Sequence, residues 1–260
     1  MFADALPEFR ADWLLAGEAQ TTVDAHLSLL RLLAAYNDSP NLDAVRFWVG
    51  GASTVSMRRK RAQAVRAFGR WSESIGDNDF PWWRNIPVPT EMEKPQPTAT
   101  SADFEAGLSV LGSSRDRAVL AVLWGCGLRR SEVAQLLVSD VHVADGVLIV
   151  RSSKTGKPRV VPMPPVAARL VRRHLRQWSS PLLFDMSPNG IRLMLRRHEL
   201  QPCHAWRRGW AVHALRNGIS EASVRSAAGW SSGAMVARYT RAKAGELAID
   251  EFRRTWVQRS

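Results

Sequence analysis

The sequence predicts a mainly helical α+β protein. A helical N-terminal domain is joined through a proline-rich linker to a helical C-terminal domain carrying a small antiparallel β-meander. Three observations carry that expectation. Apolar residues recur at helical spacing along most of the chain, behind Ser or Thr caps in the stretches 21–35 and 53–71. β-Branched residues concentrate in one stretch, 141–163, broken by turn residues. The segment IPVPTEMEKPQPTAT (86–100) has four prolines and no helical period, which reads as an extended, semi-rigid linker. The expected domains are therefore residues 1–85 and 101–260, with 86–100 between them.

In the first domain, residues 21–35 (TTVDAHLSLLRLLAA) place leucines at helical spacing after a Thr cap, and 41–50 is a shorter helix. Residues 53–71 (STVSMRRKRAQAVRAFGRW) form a long capped helix. There Arg59, Gln63, Arg66 and Arg70 share one stripe, beside an apolar stripe of Ala62, Val65 and Phe68. Such a helix can pack on its partners while turning guanidiniums outward, toward solvent or toward phosphates.

In the second domain, helices are expected at 101–111, 115–124 and 131–137, with Gly125 and Gly127 punctuating the last two. VHV (141–143), VLIVR (147–151) and RVVPM (159–163) read as three strands joined by ADG and SSKTGK turns. Helices follow at 165–178, 187–198, 204–217, 220–228 and 233–242. A final helix lies within 244–260, with Ala248, Phe252 and Trp256 on one side. The chain shows neither an internal repeat nor a low-complexity tract.

Composition narrows the function classes. With 36 Lys and Arg against 24 Asp and Glu, the net charge of +12 favours a polyanionic partner. The longest apolar run, AVLAVLWGCGL (118–128), is too short to span a bilayer. The opening MFADALPEF is acidic and lacks the features of a secretory signal. Cys126 and Cys203 have neither metal-ligand nor disulfide-framework spacing. A reducing, cytoplasmic setting is expected, with both thiols in or near the core.

Four separated pieces hold the chemistry-bearing side chains: GLRRSE (127–132), SKTGK (153–157), HAWR (204–207) and GWSSGAMVARY (229–239). Taken singly, each has a plain reading. Arg129 is a solvated arginine at a helix start, Lys154 a turn lysine, His204 a helix cap and Trp230 a core residue. Together they form one inventory: two arginines, a lysine, a histidine, an indole N–H and Tyr239, one of only two tyrosines in the chain. No carboxylate pair or metal-ligand cluster accompanies them. That set suits metal-free nucleophilic attack on a phosphodiester. Guanidiniums contact non-bridging oxygens in bidentate fashion, an ammonium protonates a leaving alkoxide, and a phenol attacks phosphorus.

In this order and at these separations, the pieces resemble those of the tyrosine recombinases, the phage integrase and Xer-type family, over residues 102–242. GLRRSE resembles the family's first-arginine motif, which implies that Arg129 is catalytic and that Glu132 orients it. SKTGKPRVVPM resembles the hairpin presenting the catalytic lysine, here Lys154. HAWRRGWAVHAL resembles the H-x-x-R box, implying His204 and Arg207 as catalytic and His213 as structural. GWSSGAMVARYTRA resembles the final box, with Trp230 and the nucleophile Tyr239.

The long basic helix more weakly resembles the family's core-binding helix, which implies DNA contacts by Arg58, Arg59, Arg66 and Arg70. Three departures stand out. Trp230 occupies a position where most members have histidine; its N–H can donate to a phosphate oxygen but cannot shuttle protons. HAWR lacks the usual leucine before its arginine, and Arg208-Gly209 replaces a more usual pair, so local packing changes are expected. No arm-type DNA-binding domain is expected ahead of the first helices.

The resemblance implies a site-specific recombinase of a phage or mobile element. It would act through a 3′-phosphotyrosine, without metal, cofactor or ATP. Double-stranded DNA is the implied partner, with a homotetramer on paired sites, a monomer in solution, and a possible accessory directionality factor. Residues 244–260 would dock either on a neighbouring protomer or on their own domain. Two rival readings are a type IB-like topoisomerase, which would relax supercoiled plasmid lacking any target site, and a non-enzymatic DNA-binding regulator. A membrane-surface protein fits poorly, because the basic residues are spread over two domains.

Overall fold

Two large hydrophobic cores and a smaller cluster around Trp230 organise the chain, which divides into units of residues 1–94 and 95–260. The structure, a computed structural model, describes residues 2–77, 79–90, 96–151, 158–240 and 243–257. For Arg238, Tyr239, Phe252 and residues 254–257 only the helical backbone is described.

In the first unit, a 3₁₀ turn (Phe2–Ala5) leads into α1 (Leu6–Leu15), followed by α2 (Gln20–Tyr36), α3 (Leu42–Gly50) and α4 (Val55–Ser74). A second 3₁₀ turn spans Pro81–Asn85. The sequence assigned no helix before residue 21, yet Phe2, Leu6 and Phe9 are core residues. Pro7 sits in the first turn of α1, where its fixed φ and missing N–H cost nothing. Phe2 and Phe9 meet Phe68 edge-on, with ring centroids 4.7 and 5.5 Å apart. Burying each phenyl contributes about 2 kcal/mol.

The Thr21 cap expected for α2 is not used. The helix begins one residue earlier, after an uncapped Ala19, and Gln20 donates to Asp24 in its first turn. α3 and α4 begin as their caps dictate: the Asn41 and Thr54 side chains accept from the amides of Ala44 and Met57.

α4 buries the expected Ala62, Val65 and Phe68, and also Ala64, Ala67, Gly69, Trp71 and Ser72. The wider apolar face reflects several partners. α1, α2 and α3 pack against the helix, and the 3₁₀ turn brings Trp83 against Gly69. This alters the outward arginine stripe. Arg59 donates to Pro89 O (3.2 Å) and Arg66 to Ile86 O (3.0 Å), both from half-buried positions, and Arg66 also lies over the Trp83 ring. Arg58 and Arg70 remain exposed. Arg70 lines a cavity of about 500 Å³ together with Asp12, Glu18, Trp13 and Trp71.

The second unit begins with α5 (Ser101–Val110), closed by a reciprocal capping box between Thr100 and Asp103. α6 (Ser114–Gly125) is its central rod. Residues 118–123 are fully buried, so the apolar run that is too short for a membrane instead forms a helix surrounded by protein. No helix among the described residues is long and apolar enough to cross a membrane.

α7 (Arg130–Gln135) follows, then β1 (Val141–His142), β2 (Val147–Val150) and β3 (Arg159–Pro162). The strands pair antiparallel in the order β1–β2–β3, with Leu148 opposite Val161 and Val150 opposite Arg159. α8 (Pro165–Leu175) packs along α6, and α9 (Pro188–Arg197) packs on α7.

α10 (Cys203–Arg216) runs back past α6. The departure at Arg208-Gly209 has a packing reason. A Cβ at Gly209 would lie 2.2 Å from Ala99 O and 2.7 Å from the Trp124 ring, so only glycine admits the segment around Ala99. Ala99 N donates to Ala205 O there, and Arg208 Nε to Pro97 O.

α11 (Glu221–Ala228), α12 (Gly233–Thr240) and α13 (Ala244–Val257) complete the unit. α13 packs on α10 of its own chain, where Arg216 pairs with Glu246 and Asp250. Cys126 and Cys203 are both free and buried.

Candidate active site

Arg129 occupies the N-cap position of α7, where the chain leaves α6 through Gly127 and the buried Leu128. One helical turn on, Glu132 reaches back. Its Oε2 accepts from Arg129 N (2.8 Å) and its Oε1 from Arg129 Nη1 (2.7 Å). The i,i+3 spacing of GLRRSE is what lets one carboxylate cap the helix and hold the arginine. Glu132 is only 3% exposed, so its charge must be compensated nearby.

Compensation comes from two further arginines distant in sequence. Arg159 of β3 makes a fork to both carboxylate oxygens, at 3.0 and 2.9 Å. Arg207 of α10 lies with Nη1 3.9 Å from Oε2. Burial alone would raise the Glu132 pKa. The Arg159 hydrogen bonds, the Arg129 amide and the Arg159 charge outweigh it and hold the carboxyl below its ordinary value. Three guanidiniums against one carboxylate leave an excess of two positive charges, which favours a phosphodiester.

Arg207 is 1% exposed. Its Nη1 donates to Gly127 O (2.5 Å) and its Nη2 to Ala228 O (2.6 Å), and its guanidinium stands 5.1 Å from the centroid of Trp230. Trp230 is buried in a small cluster with Ala211, Val224, Ala228 and Val236.

His204 lies one turn before Arg207, in the first turn of α10. That turn begins after Pro202, so the helix-cap role open to His204 falls to the proline. The imidazole is exposed, unlike Arg207. Its pKa is held below the ordinary value, first by partial desolvation and then by Arg208, Arg130, Arg207 and Arg129. The lowered value favours the neutral imidazole, the form that can accept a proton.

His213 is exposed and packs its ring 5.3 Å from Trp124, outside the Glu132 cluster. Lys154 lies outside the described residues. Tyr239 is on the last turn of α12, which packs on α10 and α11. Among the described residues, no group of three His, Cys, Asp or Glu side chains is placed to hold a metal ion.

Residues 108–246, more than half the chain, match the phage integrase family. The chain belongs to that family. It is a tyrosine-type site-specific recombinase. The recombinase is 27% identical over 94% of its length to tyrosine recombinase XerA of Pyrococcus furiosus, covering 92% of that protein. It is 26% identical to tyrosine recombinase XerA of Pyrococcus horikoshii, over 84% of this chain and 81% of that one. Its fold is similar to that of a lambda integrase dimer bound to a COC′ core site. The TM-score there is 0.75 at 14% identity, over 91% of this chain and 76% of the other.

Within the recombinase, the structure brings together Arg129, Glu132, Arg207 and Trp230, with His204 alongside. The sequence reading passed over Arg159. Its signal was the strand alternation itself: in β3, Arg159 shares the inward face with Val161, while Val160 between them is 59% exposed. An arginine on the buried side of a strand needs a counter-charge, and Glu132 is that charge.

Proposed function

We propose that the recombinase cleaves and rejoins double-stranded DNA through a 3′-phosphotyrosine at Tyr239. The observation that carries this reading is the cluster of three arginines around the buried Glu132, in the same unit as α12. The Tyr239 oxygen attacks phosphorus and the bond to the 5′ oxygen breaks. His204 takes the phenolic proton and Lys154 gives one to the departing 5′ alkoxide. Arg129, partly exposed, contacts the non-bridging oxygens, and Arg207 and Trp230 supply charge and polarity from beneath. The covalent link conserves the bond energy for rejoining, so the chemistry needs neither ATP nor a divalent ion.

Residues 1–85 serve as the core-type DNA-binding domain and 101–260 as the catalytic domain. Arg58 and Arg70 meet backbone phosphates from exposed positions; Arg59 and Arg66 add positive potential while tied to the Pro89 and Ile86 carbonyls. The working assembly is a homotetramer on paired sites, formed from monomers.

The test is covalent capture. DNA attached to the protein under denaturing conditions in its host is sequenced, and nicked duplexes of those sequences are offered to the purified protein. A denaturant-resistant adduct is expected; its absence on every captured sequence overturns the reading. On the same duplexes, Arg129→Ala should slow adduct formation by a factor of about 10²–10³, or about 3 kcal/mol in the barrier. A rate within a few-fold of wild type would remove Arg129 from the transition state.

His204 yields a pH prediction. Its pKa is depressed in the free protein, and a bound phosphate raises it. Below the bound-state value DNA binding therefore takes up a proton, and affinity should strengthen as pH falls through the interval between the two values; above that interval His204 stays neutral and free to take the phenolic proton. Fluorescence anisotropy at constant salt reads this; His204→Ala should flatten the profile. An unchanged slope in that variant would show that His204 does not face the phosphate.

A further inference from the structure

We propose that Arg159 is a positioning residue for DNA cleavage, locking the Arg129–Glu132 pair to the end of α11 that leads into Trp230 and α12. The inference rests on the cleavage reading above.

Arg159 uses three nitrogens on two elements. Nη1 and Nη2 hold the Glu132 carboxylate, and Nε donates to Ala227 O at 2.8 Å. Arg207 holds the next carbonyl, Ala228 O. Two guanidiniums thus satisfy successive carbonyls at the negative end of α11, where the helix has no amides of its own to offer.

The chain then turns through Gly229 in the left-handed region (φ +64°), and Trp230 N donates back to Arg225 O. A Cβ at Gly229 would lie 3.1–3.2 Å from Cδ, Nε and Nη1 of Arg159. The glycine therefore serves both the turn and the passage of the arginine. The Arg159 side chain is 9% exposed, so it acts on DNA through Glu132 and α11. Without its fork, Glu132 would share its charge between Arg129 and Arg207 alone. It would draw Arg129 inward and remove one positive charge from the site.

The experiment measures single-turnover adduct formation and DNA affinity on the captured nicked duplexes, for wild type, Arg159→Met, Arg159→Lys, Glu132→Gln and the Glu132→Gln/Arg159→Met double variant. Arg159→Met should slow cleavage by about 10- to 100-fold, with DNA affinity little changed and the melting transition intact. Arg159→Lys should fall between, because one ammonium cannot span both carboxylate oxygens and Ala227 O together. The double variant should be no slower than Glu132→Gln, because the two residues act as one unit.

Arg159→Met cleaving at the wild-type rate, or its loss multiplying fully with that of Glu132→Gln, overturns the proposal. Should Arg159→Met fail to melt cooperatively, Arg159→Lys decides: a folded variant at wild-type rate refutes the role, and a slower one at unchanged affinity supports it. A wild-type protein that forms no adduct overturns the cleavage reading and this inference with it. A wild-type adduct with undiminished Arg159 variants overturns the inference alone.

Discussion

Replacing Tyr239 with phenylalanine is expected to abolish the covalent protein–DNA adduct while leaving DNA binding in place. The substitution removes a single oxygen, the atom that would attack phosphorus. A free tyrosine has a pKa of about 10, so only about a thousandth is phenolate at neutral pH. A phenol brought to the excess of positive charge around Glu132 would ionise more easily. The adjacent hydroxyl cannot stand in: Thr240 is buried, and its Oγ1 donates to Val236 O at 3.0 Å within the helix. A denaturing gel of nicked duplex incubated with each protein reads the outcome, and anisotropy reads binding. An adduct formed by the phenylalanine variant at the wild-type level would place the nucleophile elsewhere.

Glu132→Ala is expected to produce the largest loss of stability. It leaves Arg129, Arg159 and Arg207 facing one another without their shared counter-charge, two of them almost fully buried. Breaking a buried pair by removing one partner costs about 3–5 kcal/mol, and the partial exposure of Arg129 puts this site near the lower figure. For a unit of this size that corresponds to a drop in melting temperature of about 10 °C. Glu132→Gln, which keeps the shape and one acceptor, should lose less.

The pH dependence has a definite sign. The folded-state pKa of Glu132 lies below its ordinary value of 4.5, so its stabilisation is present above pH 4.5 and disappears as pH falls through the folded-state value. The alanine variant should lack that acid-dependent component. Melting temperatures within a degree or two of wild type would mean that the carboxylate does not organise the arginines.

Much of this was legible along the chain because the relevant signals are local. The caps at Asn41, Thr54 and Thr100 act within three residues, and the helices after them begin where those side chains dictate. GLRRSE and HAWR each place two functional side chains one turn apart, and spacing alone is enough to put them on one helix face. Two features of the first domain escaped. α1 offered an acidic, aromatic opening segment whose helical role depends on Phe2 and Phe9 finding Phe68, about sixty positions away. The arginine stripe of α4 was turned partly inward because the segment around Ile86 and Pro89 folds back on it, a contact with no period in the sequence.

The sequence by itself determined most of the helices from residue 21 onward, the three strands and the side chains of the site other than Arg159, since each depends on residues within a few positions of one another. The tertiary structure alone decided which of those charges share a counter-ion. Arg159 reaches Glu132 across 27 positions and Arg207 reaches Gly127 across 80. The physical reason is desolvation. A carboxylate excluded from water must be met by whatever cations the fold brings to it, and that choice exists only once the strands and helices have packed.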